Sequence, residues 1–363
     1  MTHEKDIESL LKQPSLYPDL PRKSEGRRKD DLVQWLEKYG EVNRSYNLYG
    51  LDVVDFRNPD DFLDNGVFKR QRYKANSSFY PNGSQFAYDY SVVFRDKRLF
   101  DAYFARLLPS EEMPTTYAYL VNGQLLGCEC DGASMSIEEF ARRHDGEHLA
   151  VKQTFGCHGV NLISCHVEGG RTREGESLRE LFEGISPVNG AMWIIQKWLR
   201  QHPRLSAFNA TSINTLRIVS YHTGTEVVIS GASLLVGPEG SLINNPEAGN
   251  ETLFGIGLDG TVSESAYSFA LGTRVPTSHA GETIPYFAEA CALVKRAHAL
   301  IPEVFSVGWD VVITPDGPLL LEGNDGWSPR ALQFPNQRGE RPMWEELLSA
   351  REAAFGVSLR SAE

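Results

Sequence analysis

The chain has 363 residues, 41% hydrophobic and 23% charged, an ordinary globular balance with length for two or three domains. A net charge of −12 with no basic block argues against nucleic-acid binding, and no apolar run approaches the ~20 residues that cross a bilayer. The N-terminal residues 1–15 are charged and lack a signal-peptide apolar stretch, so a cytoplasmic location is expected. The five cysteines are an odd number in a chain too long to need disulfide staples, and Cys128-Glu129-Cys130 has no second ligand pair at zinc spacing. They read as reduced, mostly structural thiols.

Residues 1–75 read as helical and polar. Asp30-Asp31 would cap a helix through Leu32, Trp35, Leu36 and Tyr39 that ends at Gly40. This region reads as a lid, a substrate-specific addition or an oligomer surface, the last compatible with a homodimer. Further on, Asp96 would cap a helix with Leu99, Phe100, Tyr103, Phe104 and Leu107 on its apolar face. A strand is expected at Thr115–Leu120, followed by a hairpin turn at Asn122-Gly123.

A short strand ending in Lys152 leads into Gly156-Cys157-His158-Gly159, and a second strand follows at Val160–Val167. A glycine-bearing loop between strands can fold backbone N–H groups over phosphates, and a lysine entering it adds a point charge. Taken alone, such a loop is more often a plain hairpin, and His158 and His166 read as surface or satisfied histidines. Trp193–Gln196 reads as a buried strand, and Thr215–Tyr221 and Glu226–Leu235 as two more. Arg217 lies among apolar residues in the first of these. By itself it reads as a strand-end arginine paired with a surface carboxylate, with a bidentate hold on phosphate as the alternative. Residues 244–265 are glycine- and asparagine-rich and read as a mobile loop and a hairpin turning at Asp259-Gly260. Helices are expected at Thr283–Ile301 and Met343–Phe355.

The most informative stretch is Ser306–Asn324, SVGWDVVITPDGPLLLEGN, which reads as two strands joined by a turn at Pro315-Asp316-Gly317. A three-residue loop would set Thr314 opposite Pro318 and Asp310 opposite Glu322, with Asn324 on the same face. Opposed carboxylates destabilise a sheet, and a hard cation between them would reverse that sign. The alternative is an amphipathic hairpin with a solvated acidic face, but these acids are set among Trp309, Val311, Val312, Ile313 and Leu319-Leu320-Leu321.

An aspartate, a strand-turn-strand and Glu-x-Asn resemble the metal-binding end of the ATP-grasp enzymes. The whole phrase is most similar to the sugar-transfer-associated branch. Asp96-Lys97 resembles the family's opening Asp-Lys, whose lysine contacts nucleotide phosphates. Lys152 with Gly156 and Gly159 resembles the second phosphate lysine and the glycine-rich loop. Ile195-Gln196-Lys197-Trp198 is similar to the hinge that holds adenine, and Ser212-Ile213-Asn214-Thr215-Leu216-Arg217 to a phrase of the branch. The resemblance runs from about Asp96 to Leu348.

It implies an α+β fold in which two lobes with antiparallel sheets grip ATP. The lobes would span residues 96–195 and 196–348, with a helical region at 1–95 and a C-terminal helix and tail at 349–363. It implies Mg²⁺ on Asp310, Glu322 and Asn324, and phosphate contacts from Lys97, Lys152 and Arg217. Many ATP-grasp ligases carry an arginine two residues before the first metal aspartate. Gly308 stands there in this chain, and Arg217 is the candidate to replace it. Asn214 and Arg330 (or Arg338) are candidates to bind the acceptor. The implied activity is an amide-forming ligase of small-molecule carboxylates and amines, working through an acyl phosphate in polysaccharide or secondary-metabolite biosynthesis. A kinase of sugar or polyol hydroxyls and a non-catalytic nucleotide-binding protein remain the alternatives.

Overall fold

The computed structural model describes residues 2–77, 88–127, 134–155, 162–185, 192–240, 251–356 and 359. The N-terminal region supplies α1 (Thr2–Lys12), α2 (Glu25–Tyr39) and α3 (Asn65–Ser77). The expected cap at Asp30-Asp31 lies inside α2. The helix starts more than a turn earlier, because the Ser24 side chain accepts from the Arg27 amide, and Gly40 closes it in the left-handed region. In α4 (Lys97–Leu107), Asp96 is the cap, accepting from the amides of Arg98 and Leu99 at 2.8 and 3.0 Å.

The first lobe contains β1 (Thr116–Val121), β2 (Gln124–Gly127), β3 (Ser134–Met135), α5 (Ile137–Arg143), β4 (His148–Gln153), β5 (Ile163–Glu168), β6 (Arg171–Thr172), α6 (Leu178–Ile185) and β7 (Trp193–Lys197). Asn122 and Gly123 both have positive φ, the conformation of a two-residue hairpin turn whose twist suits the flanking strands. The described strands form one antiparallel sheet in the order β3-β2-β1-β7-β4-β5-β6. Phe140 of α5 and Phe182 of α6 cover one face, burying Leu149, Val151, Trp193 and Ile195. The opposite face, which carries Lys152 and Gln196, is left for the cleft.

The second lobe contains α7 (Pro203–Ser206), β8 (Thr215–His222), β9 (Val227–Val236), β10 (Thr252–Ile256), β11 (Val262–Ser268), β12 (Thr273–Pro276), α8 (Phe287–Ala299), β13 (Ser306–Thr314), β14 (Gly317–Asn324), α9 (Arg330–Asn336) and α10 (Arg341–Phe355). Its described strands form a second antiparallel sheet, β12-β11-β10-β9-β8-β13-β14. Neighbouring residues of one strand enter opposite cores. Leu234 and Phe254 pack with α8 and with Phe100 and Phe104 of α4, whereas Leu235 and Leu253 pack against Leu32 and Phe334. Burial on both faces explains why these strands read as continuous apolar runs.

Three consequences change the domain picture read from sequence. The N-terminal helices are cover for the second sheet, with Phe68 of α3 against Trp327 and Trp344. Helix α4, expected to open the first lobe, packs in the second sheet's core, where Phe104 meets Trp309 edge-on. Helix α10 runs unbroken through residue 348, so the expected boundary there falls inside a helix. Cys165 and Cys291 are free thiols; Cys128, Cys130 and Cys157 lie outside the described residues.

Candidate active site

Three strands of the second sheet bring the site together. Arg217 on β8, Asp310 on β13 and Glu322 on β14 are consecutive cross-strand partners, so their side chains leave the same face in one row. The turn that sets this row differs from the three-residue loop expected. Thr314 pairs with Gly317, leaving a two-residue turn at Pro315-Asp316, and Leu321 bulges out of the ladder. The bulge shifts the register by one and restores Asp310 to Glu322. Bulges recur beside active sites because they re-aim a side chain in this way.

Asp310 is 6% exposed, yet it meets both a cation and another carboxylate. Arg217 donates to it twice, Nε to Oδ1 at 2.5 Å and Nη2 to Oδ2 at 3.1 Å, and Asn324 Nδ2 donates to Oδ2 at 3.3 Å. Burial pushes the Asp310 carboxyl up. Arg217 pulls against that push, and the Glu322 charge adds to it. Burial acts on Glu322 in the same sense, but Lys97 and the other donors outweigh it and hold that carboxyl low. Lys97 Nζ stands 3.6 Å from Glu322 Oε2, so α4 delivers its first residue to the carboxylate pair.

The first lobe contributes Lys152 across the cleft. Its Nζ donates to Gln196 Oε1 at 3.1 Å, and Gln196 Nε2 donates to Thr116 Oγ1 at 3.0 Å. Thr116 in turn donates to Asp101 Oδ1 at 2.8 Å, and Tyr119 to Asp101 Oδ2 at 2.6 Å. This chain of bonds ties Lys152 to the helix that carries Lys97. Burial lowers the Lys152 ammonium to about 8, with Glu322 and Asp101 holding it up and Lys97 pushing it down. Two lysines near one carboxylate pair leave cationic capacity suited to phosphates.

Of the hinge residues, Gln196 is buried and committed to Lys152 and Thr116. The Lys197 and Trp198 amides donate to the Thr115 and His148 carbonyls, and Trp198 stacks on His148 at 4.4 Å. Asn214 is 1% exposed, and its Nδ2 donates to the Leu205 and Asn209 carbonyls, fixing the approach to β8. Arg330 opens α9 with its guanidinium over the Phe334 ring, whereas Arg338 is held by the Ser230 carbonyl and Glu340. Gly156 and Gly159 lie outside the described residues.

One feature escaped the sequence reading. Asp101 stands one turn after Lys97, an i,i+4 spacing that could have pointed to it. A Cβ on Gly308 would lie 2.6 Å from Trp327 Cβ and 3.3 Å from Arg217 Cδ. The Arg217 stem therefore occupies the space beside position 308, and a long side chain there has no room.

The donor set fits a hard divalent cation. Two carboxylates and an amide converge, and the like charges that burial penalises are those a cation would stabilise. Among the described residues no group of three or more His, Cys, Asp or Glu is placed to hold a metal ion. No helix among the described residues is long and apolar enough to cross a membrane.

A family model described as sugar-transfer associated ATP-grasp matches residues 84–347. No curated protein sequence matches the chain. Among solved structures, N5-carboxyaminoimidazole synthase from Aspergillus clavatus, in complex with ADP and 5-aminoimidazole ribonucleotide, is similar at 12% identity and TM-score 0.37, covering 64% of this chain and 45% of that one. The chain thus spans less than half the length of that relative. D-alanyl-alanine synthetase A from Vibrio cholerae O1 biovar eltor is similar at 16% identity and TM-score 0.44, covering 74% of this chain and 67% of that one. The ATP-grasp ligase PsnB, complexed with a phosphomimetic variant of its minimal precursor, Mg and ADP, is similar at 15% identity and TM-score 0.36, covering 72% and 60%.

Proposed function

We propose, from the premise that this chain belongs to the sugar-transfer-associated ATP-grasp family, that it is an ATP-dependent ligase joining a carboxylate to an amine. The observation that carries this reading is the row Arg217, Asp310, Glu322 with Lys97 and Lys152 brought up to it from α4 and β4. Phosphoryl transfer needs little covalent help from a protein. It needs reactants held in line and charge stabilised on the transferred oxygens.

In this reading Lys152 and Lys97 address the nucleotide phosphates from opposite sides of the cleft. Asp310, Glu322 and Asn324 would hold Mg²⁺, which would supply positive charge to offset that of the nucleotide phosphates. Arg217, close to Asp310 and beside the room closed at Gly308, stabilises the phosphoryl group in flight. The substrate carboxylate attacks the γ-phosphorus, ADP leaves, and an acyl phosphate forms. The amine nitrogen then attacks the acyl carbon, the C–O bond to phosphate breaks, and an amide, phosphate and a proton result.

The test is a panel of carboxylates incubated with ATP, Mg²⁺ and hydroxylamine. A ligase releases ADP and yields a hydroxamate with its own carboxylate. Release of ADP with the phosphoryl group left on a hydroxyl acceptor would replace the ligase reading by a kinase. Absence of any nucleotide binding would replace both.

A further inference from the structure

The bonds behind Lys152 have a direction, and one residue sets it. Asp101 is buried and receives two hydroxyls, Thr116 Oγ1 at 2.8 Å and Tyr119 Oη at 2.6 Å. An ionised carboxylate only accepts, so each hydroxyl turns its single proton toward Asp101. The Thr116 oxygen is then left to accept, and it accepts from Gln196 Nε2 at 3.0 Å. With its NH₂ end turned to Thr116, the Gln196 amide presents its oxygen to Lys152 Nζ at 3.1 Å. The sheet register lays out this path. Thr116 and Ala150 are both cross-strand partners of Gln196, and Lys152 lies two residues past Ala150, on the same face.

The path also crosses between the lobes. Asp101 belongs to α4, whose Phe100 and Phe104 pack in the core of the second sheet, whereas Thr116, Gln196 and Lys152 stand on β1, β7 and β4 of the first. The Lys97 amide makes a second tie, donating to the Thr154 carbonyl just past β4 at 2.9 Å. Lys97 and Asp101 are four residues apart and so share one side of α4. We propose that Asp101 is a positioning residue for Lys152. By fixing which way the Thr116 and Gln196 donors point, it keeps an accepting oxygen against the ammonium and holds it in register with Lys97. This rests on the functional reading above, since it presumes nucleotide phosphates at the two lysines. With no carboxylate at position 101 the Thr116 proton is free to turn to Gln196. The amide then reverses and sets its NH₂ group against the ammonium, donor facing donor.

The test is calorimetric titration of the full chain with AMP-PNP and with adenosine. Asp101→Leu and Thr116→Val should each weaken AMP-PNP about tenfold or more and adenosine less than about threefold, because a hydrogen bond to a charged group is lost. Thr116→Ser keeps the hydroxyl and should recover most of the loss. Tyr119→Phe removes the other donor to Asp101, which does not lead to Lys152, and should weaken AMP-PNP less than about threefold. In a Lys152→Ala background Thr116→Val should also cost less than about threefold, since the bond it supports is gone. Equal losses in Thr116→Val and Tyr119→Phe would make Asp101 a structural tie between the lobes and overturn the proposal. Unchanged AMP-PNP affinity in Thr116→Val, or an undiminished loss without Lys152, would overturn it too. Should Asp101→Leu fail to fold, the contrast between Thr116→Val and Tyr119→Phe decides. Wild-type protein that binds no AMP-PNP would remove the nucleotide reading itself, a failure distinct from that of Asp101.

Discussion

The two facing carboxylates should differ in what loss of charge costs the fold. Asp310→Asn leaves the Arg217 guanidinium, 12% exposed, without its bidentate partner. Removing one member of a buried pair costs about 3–5 kcal/mol, and relief of the like charge on Glu322 returns at most about 1 kcal/mol. A net destabilisation of roughly 2–4 kcal/mol follows. Glu322→Gln differs because its side chain is 30% exposed and its contact with Lys97, at 3.6 Å, is partly solvated. A pair of that kind contributes about 0–1 kcal/mol, and relief of repulsion at Asp310 offsets it, so stability should stay within about 1 kcal/mol of the parent. Both variants should lose Mg²⁺-dependent ATP turnover by about two orders of magnitude or more. Denaturant unfolding without metal, paired with turnover, separates the two effects. Equal destabilisation by both substitutions, or near-parental turnover in Glu322→Gln, would refute the reasoning.

Lys152→Ala should weaken ATP far more than adenosine in calorimetric titration, and wild-type affinity for ATP should fall as pH rises through about 8, where the free ammonium loses its proton. His298 is fully buried between Ser220 and the Val304 carbonyl, and burial lowers it to about 3. The unfolded chain therefore takes up this proton first as pH falls below about 6.5, and up to roughly 4 kcal/mol of stability should be lost between there and pH 3; His298→Gln should flatten that slope in pH-dependent unfolding. Gly308→Ala forces a Cβ to 2.6 Å from Trp327 and presses on the Arg217 stem, so it should cost about 1–3 kcal/mol in unfolding and lower turnover with little change in ATP affinity.

The pairing of Asp310 with Glu322 was legible because β-branched runs and turn residues announce a hairpin, and a period of two then places every side chain. The turn itself was misread by one residue. Pro-Asp-Gly has the composition of a three-residue loop, and nothing in it shows that Gly317 joins the ladder while Leu321 leaves it. Arg217 read as a strand arginine with a surface partner. Its actual partner is Asp310, 93 residues away and buried, a pairing set by which strands become neighbours. The N-terminal helices read as a polar accessory because each offers only a narrow apolar stripe, yet those stripes complete the core under Leu235 and Tyr221. The Asp96 cap was visible because capping is local: one side chain and two amides within three residues.

The most direct test of phosphoryl transfer to a carboxylate is the fate of its oxygen. With the acceptor acid labelled with ¹⁸O in both carboxylate positions, and the amine present, one ¹⁸O should appear in each released phosphate, in step with ADP. Phosphate free of the label, or phosphorus retained on the product, would contradict the account.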